Sequence, residues 1–191
     1  MRIMLPTDAG ANLLVIARHA IAMVLGRTAE GVDTSAAWLS QPGACFVTLT
    51  QHGQLRGCMG SLQAHRSLLH DLQDNAVAAA LRDPRFVPVT GPELDSLRIE
   101  VSVLSPPGPL TVESEADLLA TLRPHIDGLI VQDGLHRATF LPQVWEQLPD
   151  PREFVSRLKQ KAGLSATAWS ASMQWQRYSV QKWSEPTAPS R

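Results

Sequence analysis

The chain has 191 residues, a formal net charge of −1, and 18% charged against 44% hydrophobic residues. That length holds one domain, or a domain with a small subdomain, whose core needs neither metal nor disulfide to fold. The near-zero charge excludes a global field for polyanions, and no apolar run reaches the length of a membrane span. Fourteen prolines and twelve glycines point to a loop-rich fold rather than a helical bundle. Cys45 and Cys58 form no CxxC pair and no sequence cluster with histidines, so no zinc or iron–sulfur site is assigned. A reducing cytoplasm suits two such thiols, and the start, Met1 to Pro6, is too short for a signal peptide.

In chain order, apolar residues at Leu13, Leu14, Ala17, Ile21, Val24 and Leu25 predict a first helix, with Asp8 as cap and Gly26 as stop. Residues 27–43 are turn-prone. Ala44 to Thr50 reads as a strand, Gln51-His52-Gly53-Gln54 as a hairpin turn, and Leu55 to Gly60 as the returning strand. Ser67 caps a helix that Asp83-Pro84 ends. Thr90-Gly91-Pro92-Glu93 is a capping box, followed by a strand burying Ile99, Val101 and Val103. The run Ser105 to Pro109 predicts an exposed crossover. Ser114 and Asp117 cap a short helix, and Asp133-Gly134 predicts a second hairpin between Gly128–Gln132 and Leu135–Phe140. Asp150-Pro151-Arg152-Glu153 opens a helix ending at Gly163, a last strand covers residues 174–183, and residues 184–191 are expected to be a disordered tail. Helices interspersed with hairpins give an α+β class with a largely antiparallel sheet.

The stretch Leu55-Arg56-Gly57-Cys58-Met59-Gly60 stands out. In a regular strand Arg56 and Cys58 project to one face while Leu55 and Met59 project to the other, which sets a permanent cation beside a thiol. Gly57 and Gly60 leave the backbone bare for positive φ or for the close approach of a ligand or another chain. Ala79-Ala80-Leu81-Arg82-Asp83-Pro84-Arg85-Phe86, Ile99 to Pro107, Asp127-Gly128-Leu129, Arg137 to Trp145 and Arg177-Tyr178 follow in order. Together with the hexapeptide, these blocks resemble the AMMECR domain family. The resemblance covers about Gly43 to Trp183, and Met59 stands where the family often has isoleucine. It is similar to the bacterial and archaeal branch, protein A of AmmeMemoRadiSam systems. That resemblance implies a single domain over 1–183 with two subdomains, a larger one from both chain halves and a smaller inserted one. It also implies a Memo-like protein and a radical S-adenosylmethionine protein as companions, without assigning a reaction or a cofactor.

Cys58 reads either as a reactive thiol, since a nearby cation favours thiolate, or as a small buried hydrophobe. Arg56 binds an anionic group or pairs with a carboxylate across the sheet. Cys45 reads as structural. His65, close behind the signature, is a general-base candidate; His52 in its turn is a weaker one. Asp83 and Arg85 read as a structural break and ion pair, or as part of an anion site. Arg137 and Thr139 share a face of the second hairpin, and if both hairpins border one cleft, Arg56, Gly57, Cys58, Gly60, Arg137 and Thr139 would line an anion pocket. Trp145, Trp169, Trp175 and Trp183 fill a core or face a partner. Three functions remain open: a component of a multiprotein modification system binding a small anionic ligand or partner near Cys58, a noncatalytic adaptor, and an RNA-binding protein.

Overall fold

The structure is a computed structural model, and residues 5–186 are described. The chain divides into two compact units, one formed by the chain up to Ser105 together with the segment from Gln181 on, the other by Pro106–Val180.

In the first unit, α1 (Ala9–Val24) and α2 (Leu68–Leu81) cover one face of a sheet. Its main strand order is β2 (Gln54–Gly60), β1 (Pro42–Gln51), β4 (Leu97–Leu104), β9 (Val180–Ser184), with the two-residue β3 (Arg66–Ser67) added to β1. β1 pairs antiparallel with both β2 and β4. Alternation decides the faces: Cys45, Val47 and Leu49 sit opposite Val103, Val101 and Ile99, and all are buried under the helices. Each such fully buried aliphatic side chain stabilises the fold by about 1.5–3 kcal/mol relative to exposure. α2 follows its capping signal, Ser67 Oγ accepting from the His70 N–H. The alanine end of that helix lets its backbone come close to β2. Asp8 occupies the cap position of α1, but its side chain makes no cap hydrogen bond.

In the second unit the sheet order is β5 (Gly108–Leu110), β8 (Gln174–Tyr178), β6 (Gly128–Asp133), β7 (His136–Phe140), again with antiparallel ladders. α3 (Glu115–Thr121) and α4 (Pro151–Lys161) pack on it around Leu118, Leu129, Val131, Trp145, Phe154, Leu158 and Trp175. Trp145 stacks on Phe154 at 3.7 Å and donates its indole N–H to the Asp127 carbonyl. Asp150 caps α4 by accepting from the Arg152 and Glu153 N–H groups.

The α+β reading holds, and several boundaries move. Residues 108–110 pair with β8 instead of forming only a crossover. The expected last strand is two strands, β8 and β9, broken at Ser179 and belonging to different sheets. The second hairpin turns at Gly134-Leu135, one residue later than expected, since Asp133 pairs with His136 and Gly134 takes positive φ. The expected tail is ordered at its start: Ser184 ends β9 and Glu185 receives the Arg18 guanidinium. Residues 187–191 of that tail lie outside the described residues. The described residues include no helix long and apolar enough to cross a membrane.

Candidate functional site

The first hairpin turns through His52 and Gly53, both at positive φ, as a two-residue turn of its handedness requires. The ladder then slips. Thr48 sits opposite Cys58 and Leu49 opposite Gly57, but Thr50 sits opposite Leu55, so Arg56 is the extra residue of a bulge. This corrects the regular alternation expected of the hexapeptide. Leu55 shares the face of Cys58, and Arg56 is turned away. The Arg56 guanidinium reaches Glu93 at 3.1 Å and the Val87 carbonyl at 2.8 Å, and it is largely buried. Glu93 is held below its ordinary carboxylate value, chiefly by the Thr90 N–H, then the Thr90 hydroxyl, with Arg56 adding to both. Arg56 thus pairs with a carboxylate, but one from the helical turn Gly91–Ser96 before β4 rather than one across the sheet.

Cys58 lies half-buried on the sheet face opposite the helices, its Sγ 3.3 Å from Thr48 Oγ1. Glu100 follows Thr48 across the next ladder and is held by the Ser184 hydroxyl and Lys182. The face therefore carries a polar row of Cys58, Thr48, Glu100 and Lys182.

The cation beside Cys58 is Arg85. Asp83 accepts from the Cys58 N–H at 2.9 Å, while Arg85 donates to the Cys58 carbonyl and to both Asp83 oxygens. The pair thus closes the outer backbone edge of β2 as a neighbouring strand would. Arg85 and the two N–H groups hold the Asp83 carboxyl well below the usual range, the Arg85 hydrogen bond contributing most. The Arg85 guanidinium is in turn raised, first by that same bond, with the charge of Asp83 adding. Its side chain is 55% exposed, so one edge of it remains open to a ligand.

The protein's own packing fills the space over both signature glycines. A Cβ at Gly57 would stand 2.1 Å from the Ala79 carbonyl oxygen of α2, and one at Gly60 would stand 2.2 Å from the Phe46 ring. The close approach expected of a ligand or another chain is made by α2 and by a cross-strand aromatic. His65 is exposed in the connection from β2 to β3.

On the second hairpin, Thr139 is buried with its hydroxyl donating to the Leu129 carbonyl and bonded to Tyr178. Burial raises the Tyr178 phenol, opposed by the Thr139 bond and the Arg137 charge. Thr139 therefore braces a tyrosine, and Arg137 lies exposed on the same strand. The two hairpins fall in different units.

The family model described as AMMECR1 matches residues 14–183. The chain belongs to the AMMECR1 family. This AMMECR1 chain is 42% identical to a protein of Methanothermobacter thermautotrophicus over 84% of its own length and 85% of that protein. It is 36% identical to a protein of Thermofilum pendens, covering 86% and 84% respectively. Its fold is similar to the crystal structure of uncharacterised protein PH0010 from Pyrococcus horikoshii, with TM-score 0.75 and 31% identity, covering 92% and 91% of the two chains.

Beneath the AMMECR1 hexapeptide lies a polar cluster that was not among the expected site residues. Asp71, almost fully buried, accepts from the Cys45 N–H, the Ser61 hydroxyl and Arg66, and Asn75 donates to the Cys45 carbonyl and to Asp71. These bonds tie α2 to the start of β1 and the end of β2. The helical spacing of Asp71 and Asn75 with Leu68 and Leu72 was the available signal, four apart on the buried side. Burial, then the charge of Asp71, pushes the Cys45 thiol well up, as its structural reading requires.

Proposed function

We propose that this AMMECR1-family protein acts as a cytoplasmic component of a multiprotein modification system, engaging a small anionic ligand or a partner chain around Cys58, with the thiol taking part. The observation that carries the reading is the placement of Cys58: a half-buried thiol bonded to Thr48, on a strand whose backbone Asp83 and Arg85 lock from outside. A locked backbone keeps the thiol in register. Arg85, on the Cys58 carbonyl, supplies an open guanidinium edge for an anionic group. The test is labelling of Cys58 by anionic iodoacetate and by neutral iodoacetamide in a Cys45→Ser background. The expected result is a severalfold preference for the anionic reagent that Arg85→Gln removes and Arg56→Gln leaves in place. Slow labelling unaffected by Arg85→Gln would sink the chemical role.

An adaptor reading draws on a separate observation. Leu55, Leu62 and Val87 are exposed apolar residues along and beside β2. In that reading the hairpin docks a Memo-like or radical S-adenosylmethionine protein. Leu55→Asp would then abolish co-purification with such a partner while leaving Cys58 labelling unchanged.

A further inference from the structure

The outer face of α1 carries no charge. The one charged residue of the helix, Arg18, turns back to Glu185 and to the carbonyls of Leu94 and Leu97. What points away from the core is the ridge Ala11, Val15, His19 and Met23, each four residues after the last, with Val24 beside its end. Val15 is 55% and Met23 56% exposed. A helix turned to water carries charged residues on that side, whereas a neutral, partly apolar stripe is the composition of a face that is covered. The other described helices follow the rule. α2 shows His70 and Asp74 to solvent, α3 shows Asp117, and α4 shows Arg152, Glu153 and Arg157.

The two ends of α1 say what covers it. Asp8, exposed at the N-terminal end, makes no cap hydrogen bond. Arg27, just past the C-terminal end, is partly exposed and holds Asp95 and the Gly91 carbonyl through Nη1. A copy of α1 laid antiparallel across a two-fold axis between Val15 and His19 sets Asp8 beside the partner's Arg27 at both ends of the seam. The same arrangement opposes the two helix dipoles, and a parallel one would bring like ends together. A neutral ridge on a neutral ridge buries no charge, and among the described helices α1 is the one that offers such a ridge.

We propose that the protein forms a two-fold symmetric dimer through α1, ridge against ridge, with the helices crossing at about 20°. Sixteen residues make a seam of about 24 Å. That is small for a specific interface, so the dimer forms and dissociates in the micromolar range. The pairing is back to back. α1 packs on the sheet face opposite Cys58, so both thiols stay open, and the dimer stands independently of the Cys58 reading.

The test is sedimentation velocity on the full-length protein at concentrations from about 5 to 500 µM, over which the mass should rise from monomer toward dimer. Val15→Lys, at an exposed position, should keep the protein monomeric throughout, with its thermal midpoint at low concentration and its Cys58 labelling unchanged. Asp8→Lys should weaken the dimer severalfold at low salt and less at high salt. Leu55→Asp, on β2, should leave it intact. A protein that is monomeric at every concentration overturns the proposal, as does a dimer that Val15→Lys fails to weaken. A monomer whose thermal midpoint falls in Val15→Lys also overturns it, since the ridge would then be covered from within the chain.

Discussion

A methyl group at Gly57 has nowhere to go, because the Ala79 carbonyl it would strike is helix backbone. Gly57→Ala must push α2 off the hairpin and is expected to cost about 3 kcal/mol, read as a lowered urea midpoint. At Gly60 the obstacle is the half-buried Phe46 ring, which can swing outward, so Gly60→Ala should cost less, about 1–2 kcal/mol by the same measurement. The contrast separates a helix-contact glycine from one covered by an aromatic. Cys45, with its thiol raised by burial, should resist iodoacetamide in the folded protein and react only after denaturation.

Among elements, the edge of β2 depends on two side chains rather than on another strand. Asp83 titrates far below an ordinary aspartate, so the folded state holds it ionised where the unfolded chain, near pKa 3.9, is already taking up protons. Its contribution is complete above that unfolded value and is lost as pH falls toward the folded one. Asp83→Asn should therefore lower stability at neutral pH by roughly 1–2 kcal/mol and flatten the loss of stability below about pH 4, both visible in urea midpoints measured against pH.

The same elements show what could be read from the chain alone. Hairpins, caps and the alternation of β4 were legible because turn residues and apolar periods mark them locally. The bulge at Arg56 was not, since a register slip is decided between strands and no residue within the hexapeptide announces it. Nor was the break between β8 and β9, which falls at Ser179 without glycine or proline. β5 was hidden by Pro107 and Pro109, tolerated here on a sheet edge. Cys58 was found through its motif, but its cation was assigned to the neighbour in sequence, Arg56, instead of to Arg85, which arrives from beyond α2. Lys159 is fully buried, yet sits in so charged a helix that its burial was invisible.

For the whole molecule, the closing segment matters more than its length suggests. Glu185 accepts from Arg18 and from the Ile99 N–H, and Trp183 packs where Gly10 leaves room on α1. Its hydrogen bond and charge hold the Arg18 guanidinium raised against the cost of burial. Glu185→Ala should then destabilise the first unit by about 2–3 kcal/mol, shifting an early thermal transition while leaving a later one from residues 106–180 in place, as calorimetry would show. The continuous segment 106–180, expressed alone, should keep its fold, with dispersed tryptophan side-chain signals as the check.

That segment also bears on the speed of folding. β4 and β9 are neighbours in one sheet, yet residues 105–179 intervene between them in the chain. Closing so long a flexible loop directly would be entropically expensive and slow. The pairing of Gly108 with Arg177 changes the arithmetic, because once residues 106–180 have folded their two ends are already side by side. A long-range contact becomes in effect a short one, so the insertion is expected to fold before β9 docks on β4, and a variant that destabilises residues 106–180 should slow the refolding of the first unit.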